Sequence, residues 1–400
     1  MKPPANELAV QPGSVALSWR RIRTVAYKEW REIVRDRLFF LLAFVVPSLL
    51  MLLFGYGLSL DVENIPLAVL DYDHSAISRE YASKFTGSRY FSFRQYGGHE
   101  QQVEHLLLNN SIRAVLILPP QFGQRLQAGQ AAEAQTWVDG TFPFRALTAK
   151  AYITAINAAI NLDNLSQHLS RQTGLSSEHW RNLLQPVKIQ TRYLYNQEVK
   201  SIWSLAPKLI MVILMLSPPF LTALGVVREK ETGAIYNVYA STLKRGEYLV
   251  GKLLPYVMIS LINAMLLTLM AWLLFGTPFK GNALLFFIAT ALYVVCTTGI
   301  GLLVSVVVNT QVAAMVGTAI VTVVPAVLYS GMIIPISSLS DVASVIAHAL
   351  PGMYYAEIAT ACFLKAVGFA ALWDDLLILL IYTLLLFSAG YMAFHKRPGT

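Results

Sequence analysis

The chain has 400 residues, of which 55% are hydrophobic and only 14% charged, and its formal net charge is +8. Soluble domains carry roughly 25% charged residues, so this composition argues against a soluble globule. The basic residues gather beside apolar segments and form no separate basic domain with interleaved aromatics, which points to membrane topology and away from nucleic acid.

Residues 1–14 are expected to form a disordered cytoplasmic tail. From Val15, apolar residues recur at spacings of three and four (Trp19, Ile22, Ala26, Trp30, Ile33), while Arg21, Lys28, Arg31 and Arg35 take other faces. This predicts an amphipathic helix over 15–37, lying along the membrane surface or docked on another protein. Trp19, Arg23, Lys28, Glu29, Trp30 and Arg35 are its candidate surface residues.

A helix spans the bilayer with roughly 20 apolar residues, because unpaired backbone groups are not tolerated in lipid. Six segments qualify: 38–60, 202–227, 253–275, 283–308, 312–335 and 376–394. The fold class is therefore an α-helical polytopic membrane protein. The first segment is too long for a signal-peptide core and no small-residue cleavage site follows Leu60. Lys and Arg crowd the flank before it, the 228–252 loop and the end of the chain at Lys396 and Arg397. The excess of basic residues in cytoplasmic flanks then places both termini inside and residues 61–200 outside.

That outer segment alternates β-like runs starting at Ile65, Tyr90, Ile112 and Thr136 with helical patterns, which reads as a small α/β domain. A long helical pattern from Ala146 to Arg171 closes it. Residues 340–372 are too apolar for a free loop yet are broken by Pro351 and Gly352, so re-entrant or interfacial helices are expected there. Residues 395–400 form a second cytoplasmic tail.

Chemistry-bearing motifs are sparse. Gly246 to Lys252 has GxxxxGK spacing, but Leu253 stands where the Mg²⁺-binding hydroxyl belongs and no strand precedes it. Its glycines are read instead as turning the chain into the third span, with Lys252 at the interface. The seven histidines form no HExxH, and Cys296 and Cys362 have no CxxC spacing, so neither a catalytic nor a metal site is expected. Asp71, Asp73 and His74 could ligate a metal or simply cap a turn. The near absence of charge within the spans argues against proton- or sodium-coupled transport. A sensor or assembly scaffold with a ligand-binding outer domain is the alternative from another class.

The most informative stretch is Arg228-Glu-Lys-Glu-Thr-Gly233, which leads to Tyr236 and then to Gly251-Lys252-Leu-Leu-Pro255. It resembles the loop between helices two and three in the permeases of type 2 ABC exporters, with Ala234 where Thr is commoner. Pro66 to Tyr81 and Ser330 to Glu357 are similar to the start of the outer domain and the end of helix five in the subgroup with a large periplasmic insertion. The resemblance implies a permease that dimerises with itself or a sister permease and borrows a cytoplasmic ABC ATPase. ATP and Mg would then be bound by that partner; this chain would bind no cofactor and be no enzyme. It also implies ATPase coupling through Arg228, Glu229, Lys230, Glu231, Thr232, Gly233 and Tyr236. A cargo path along helices two and five would involve Ser217, Thr222, Thr318, Thr322, Tyr329 and Ser330. A membrane-fusion adaptor, an outer-membrane channel and a bacterial inner-membrane location complete the implied setting.

Overall fold

The computed structural model describes residues 14–58, 61–187, 189–332 and 334–394. Both expected tails, with Lys396 and Arg397, fall outside these apart from Ser14. The chain forms two compact units, one built from the spans and the other from Leu60–Arg192.

Six helices are long and apolar enough to cross a membrane: Arg37–Gly57, Ser201–Glu231, Arg245–Leu273, Ala283–Val307, Gln311–Tyr329 and Trp373–Ala393. The second is the axis of its unit, packed by the first, third, fourth and fifth spans. It contains Pro207, Pro218 and Pro219 and is nevertheless one helix, because neighbouring helices enclose it and hold the backbone in place. The fourth span crosses it at Gly301, where an added Cβ would lie 2.3 Å from the Pro219 carbonyl oxygen. The first span widens to a π-turn over Leu41–Val45, just before Pro47, which has no N–H to give to the ladder.

Between the fifth and sixth spans lie two short helices, Asp341–His348 and Pro351–Thr360. The second is buried along most of its length against the second, fourth and sixth spans. Tyr355 stacks on Tyr293 with ring centroids 4.3 Å apart, and the Tyr293 hydroxyl donates to the Met211 carbonyl at 3.1 Å. Paired phenols in the interior thus tie this segment to both central spans.

In Leu60–Arg192 the strands β1 (Ile65–Asp71), β2 (Phe91–Tyr96), β3 (Ala114–Leu118) and β4 (Gln135–Val138) form one sheet in the order β2-β1-β3-β4. β1 is parallel to both neighbours and β4 is antiparallel to β3. Alternation decides the faces: Leu67, Val69, Leu116 and Leu118 join one core with Phe85 and Phe122, while Ala68, Leu70, Val115 and Ile117 join another with Val103. Both faces are covered, as the near-continuous apolar run of β1 and β3 requires. The long helix expected at 146–171 runs Pro143–Thr173.

Candidate functional site: a charged hub at the end of the second span

The sequence reading ended the second span at Val227 and gave 228–252 as a coupling loop/helix. In the structure the helix continues through Glu231, and Gly233 at φ +75° turns the chain out of it, in the left-handed region that favours glycine. A short helix, Ile235–Ala240, follows, and the third span already begins at Arg245. The polar turn stays helical because each of its four charged side chains meets a different element.

Arg228 donates to Asp36, whose other carboxylate oxygen accepts the Leu38 N–H at 2.9 Å and caps the first span. Burial, the largest single influence, would raise the Asp36 pKa, but the Arg228 hydrogen bond and charge together with the backbone N–H groups of Leu38 and Phe39 outweigh it and hold the carboxyl below its ordinary range. Lys230 donates to the carbonyls of Ser305, Val306 at 3.2 Å and Val308 at 3.5 Å, at the C-terminus of the fourth span. Glu231 accepts from the Gln311 backbone N–H at 3.2 Å and from its side-chain amide at 2.9 Å, at the N-terminus of the fifth. A cation on a helix C-terminus and an anion on a helix N-terminus are the signs that the helix dipoles favour. Adjacent residues of one helix therefore hold both ends of the tight turn between two others.

Glu229 points inward and is 6% exposed. Its carboxylate meets Lys252 at 3.0 Å and Lys28 at 3.1 Å and accepts the Tyr248 hydroxyl. Lys252, 1% exposed, also lies 2.7 Å from Glu29, itself 2% exposed, and the Tyr256 hydroxyl donates to Glu29 as well. Two carboxylates, two ammonium groups and two phenols thus join the N-terminal helix Ser14–Arg35 to the second and third spans. Burial alone would lower the Lys28 pKa, and the Glu229 carboxylate reverses this and raises it. Glu29, Glu32 and Glu229 have oxygens within 4.8 Å of one another, a spacing that could hold a cation. The lysine ammonium groups already sit against them, Lys28 also reaching Glu32 at 3.5 Å.

Gly251 and Lys252, the phosphate-loop look-alike, lie inside the third span. A Cβ on Gly251 would come within 2.8 Å of Val25 and 2.9 Å of the Ile22 carbonyl oxygen, so this glycine lets the N-terminal helix cross closely. The stripe facing the third span includes Ile22, Val25, Glu29 and Ile33. Trp19, Arg23, Trp30 and Arg35 face outward, Trp19 being 64% exposed. At the other end of the contact, Glu247 accepts from Ser18, from Arg21 at 3.5 Å and from the Lys244 N–H at 2.9 Å. Thr232 caps its own helix by donating to the Arg228 carbonyl at 2.8 Å, and Tyr236 is exposed.

The residues expected along a cargo path lie on the second span and on or just after the fifth, two helices that pack against each other. Thr222 and Thr322 donate to carbonyls one turn back in their own helices, at 2.8 and 2.7 Å. Ser217, Thr318 and Ser330 are buried with no hydrogen-bond partner among the described residues, and Tyr329 is half-buried. In the outer unit, Asp71 accepts two backbone N–H groups and the Ser78 hydroxyl, and Asp73 accepts the Gly123 N–H. These are turn-building contacts. From the sequence Lys252 was placed only at the membrane interface, and Tyr248, Tyr256, Asp36 and Gln311 were given no role; Glu29, an acid inside an apolar stripe, was the visible signal of the cluster.

The family model for "ABC-2 family transporter protein" matches residues 37–392. The chain belongs to this family. Among relatives of this ABC-2 permease, the probable multidrug ABC transporter permease YbhS of Escherichia coli K12 is 27% identical over 87% of the chain and 89% of its own length. The probable multidrug ABC transporter permease YbhR of the same strain is 24% identical over 95% and 99%. The linearmycin resistance permease protein LnrN of Bacillus subtilis is 23% identical over 88% and 94%. The ABC-2 permease described here is accordingly a membrane-spanning permease subunit of an ABC exporter, and the hub joins five of its six spans and its N-terminal helix.

Proposed function

We propose that this permease, with both termini cytoplasmic, sits in a bacterial inner membrane, dimerises, and is driven by a separate cytoplasmic ABC ATPase that binds ATP and Mg. It performs no catalysis of its own; its cargo is a drug or amphiphile, a drug being what the names of the multidrug permeases YbhS and YbhR support. The observation that carries this reading is the four-way division of Arg228, Glu229, Lys230 and Glu231. A push on the short helix Ile235–Ala240 enters the second span through Gly233, and every neighbour of that helix end is held by a charge-assisted hydrogen bond. The surface offered to the ATPase is the exposed Tyr236 with the outward residues Trp19 and Arg23 of the N-terminal helix. An adaptor and an outer-membrane channel would receive cargo from the Leu60–Arg192 unit.

The test is copurification of the tagged permease with its ATPase, followed by ATPase and export assays. Glu231→Arg places a cation against the N-terminus of the fifth span, where the dipole disfavours it. The variant is expected in the membrane with its ATPase bound and export reduced about tenfold or more, equivalent to a loss of about 1.4 kcal/mol in coupling. Normal export by E231R would remove the transmission role, and absence of any ATPase under gentle conditions would remove the exporter assembly.

A further inference from the structure

At the end of the bundle opposite the hub, a cleft of about 590 Å³ opens between the start of the second span, the segment after the fifth, the helix Pro351–Thr360 and the start of the sixth. That volume is in the range of small-molecule sites, roughly 300–1,000 Å³. Lys208, Glu357, Lys365 and Asp375 line it, two of each sign, and no ion pair joins any of these four to a described residue. Lys208 donates one of its three protons to the Gly331 carbonyl at 2.7 Å. Two hydroxyls on the cleft, Ser330 and Thr360, have no hydrogen-bond partner among the described residues, and Ser330 is 2% exposed. Ile336 and Leu372 supply an apolar wall.

Glu357 and Lys365 are exposed, but the partly buried Lys208 and Asp375 and the buried Ser330 hydroxyl, at the margin of a membrane-embedded bundle, are costly unless an occupant satisfies them. The lining has no net charge, so neither a simple anion nor a simple cation is favoured by it. We propose that this cleft binds the head group of a zwitterionic amphiphile. Lys208 meets the anionic part, Glu357 meets the ammonium part, Ser330 and Thr360 bond to neutral oxygens, and the tail follows Ile336 and Leu372 into lipid. The inference deepens the exporter reading and rests on it only for the idea that the occupant is moved; the occupant itself is a bilayer phospholipid or a free zwitterionic amphiphile taken as cargo.

The test uses the full chain in an uncharged maltoside detergent, without ATP or partner. Fluorescent-acyl lysophosphatidylethanolamine, lysophosphatidylglycerol and an alkylamine of equal chain length are compared by anisotropy. The zwitterion is expected to bind about tenfold more tightly than either singly charged probe, the ratio that one charge-assisted hydrogen bond supplies. Glu357→Gln, at an exposed position that folding does not depend on, should abolish the preference over lysophosphatidylglycerol. Lys208→Gln should abolish the preference over the alkylamine, with an unchanged melting temperature as its folding control. Equal binding of all three probes, or preferences unchanged in E357Q, would overturn the assignment. Phosphatidylethanolamine copurifying with wild type and depleted in E357Q identifies bilayer lipid as the source. Zwitterion binding to a chain that arrives free of lipid identifies cargo. Failure to find an ATPase would remove the proposed function and leave these binding results standing.

Discussion

At the scale of single residues, burial decides which charges matter. Arg228 and Asp36 are partly exposed and their pair contributes on the order of 0–1 kcal/mol. Lys252 is different, since Glu29 and Glu229 would both be left as buried, poorly compensated carboxylates without it. Lys252→Met is expected to destabilise the permease by about 3–5 kcal/mol, read as a lower melting temperature in detergent, and adding Glu29→Gln should recover part of the loss. In the outer unit, hydrogen bonds from the Thr141 side chain and backbone, reinforced by Arg113, pull the Asp139 carboxyl down to about 2. An acid whose pKa is lower folded than unfolded stabilises the fold above its unfolded value, here 3.8, and loses that contribution as pH falls toward 2. Hydrogen exchange at β3 and β4 should therefore quicken between pH 4 and 2 in wild type, while Asp139→Asn should be faster at neutral pH and lack this acid step.

Helices in this protein approach one another where a side chain is missing. Gly301 meets backbone atoms of Pro219, and Gly251 meets the Ile22 carbonyl oxygen and the Cβ of Val25, which is fixed to its own backbone, so neither neighbour can swing aside. Gly301→Ala should cost about 1–3 kcal/mol through overpacking, and Gly251→Ala a comparable amount. The two differ in consequence: G251A should loosen the N-terminal helix, exposing it to protease, while G301A should lower the melting temperature without that exposure. Helix ends show the converse, in that Lys230 and Glu231 place the favourable sign on each terminus of the turn at 308–310. The sequence reading placed these residues beyond the second span, in the coupling loop/helix, because charge normally ends a span, and partners on other elements reversed that rule.

For the whole molecule, the division into two units is the largest fact. Leu60–Arg192 has its own sheet with an apolar core on each face, and a chain of this length can bury enough surface to fold alone. Residues 61–192 expressed by themselves should give a single cooperative thermal transition by circular dichroism; a broad, non-cooperative melt would show that the unit depends on the spans.

Six spans, the four-stranded unit between the first two, and the informative Arg228–Gly233 stretch were all legible in the sequence, because lipid and sheet burial impose periods and lengths that local residue choice must obey. The partners of that stretch were not legible. Lys252 and Glu29 are separated by more than half the chain, and an acid in an apolar stripe or a lysine after a glycine has several local explanations until another helix arrives beside it. Likewise Gly251 read as a turn into the third span, and only the crossing N-terminal helix showed what its missing side chain is for. The outer cleft is the extreme case, since Lys208, Ser330, Glu357 and Asp375 come from four segments, each unremarkable alone. Pattern along the chain records what solvent each residue meets, whereas the pairing of charges is a property of the space between helices and exists only once they are packed.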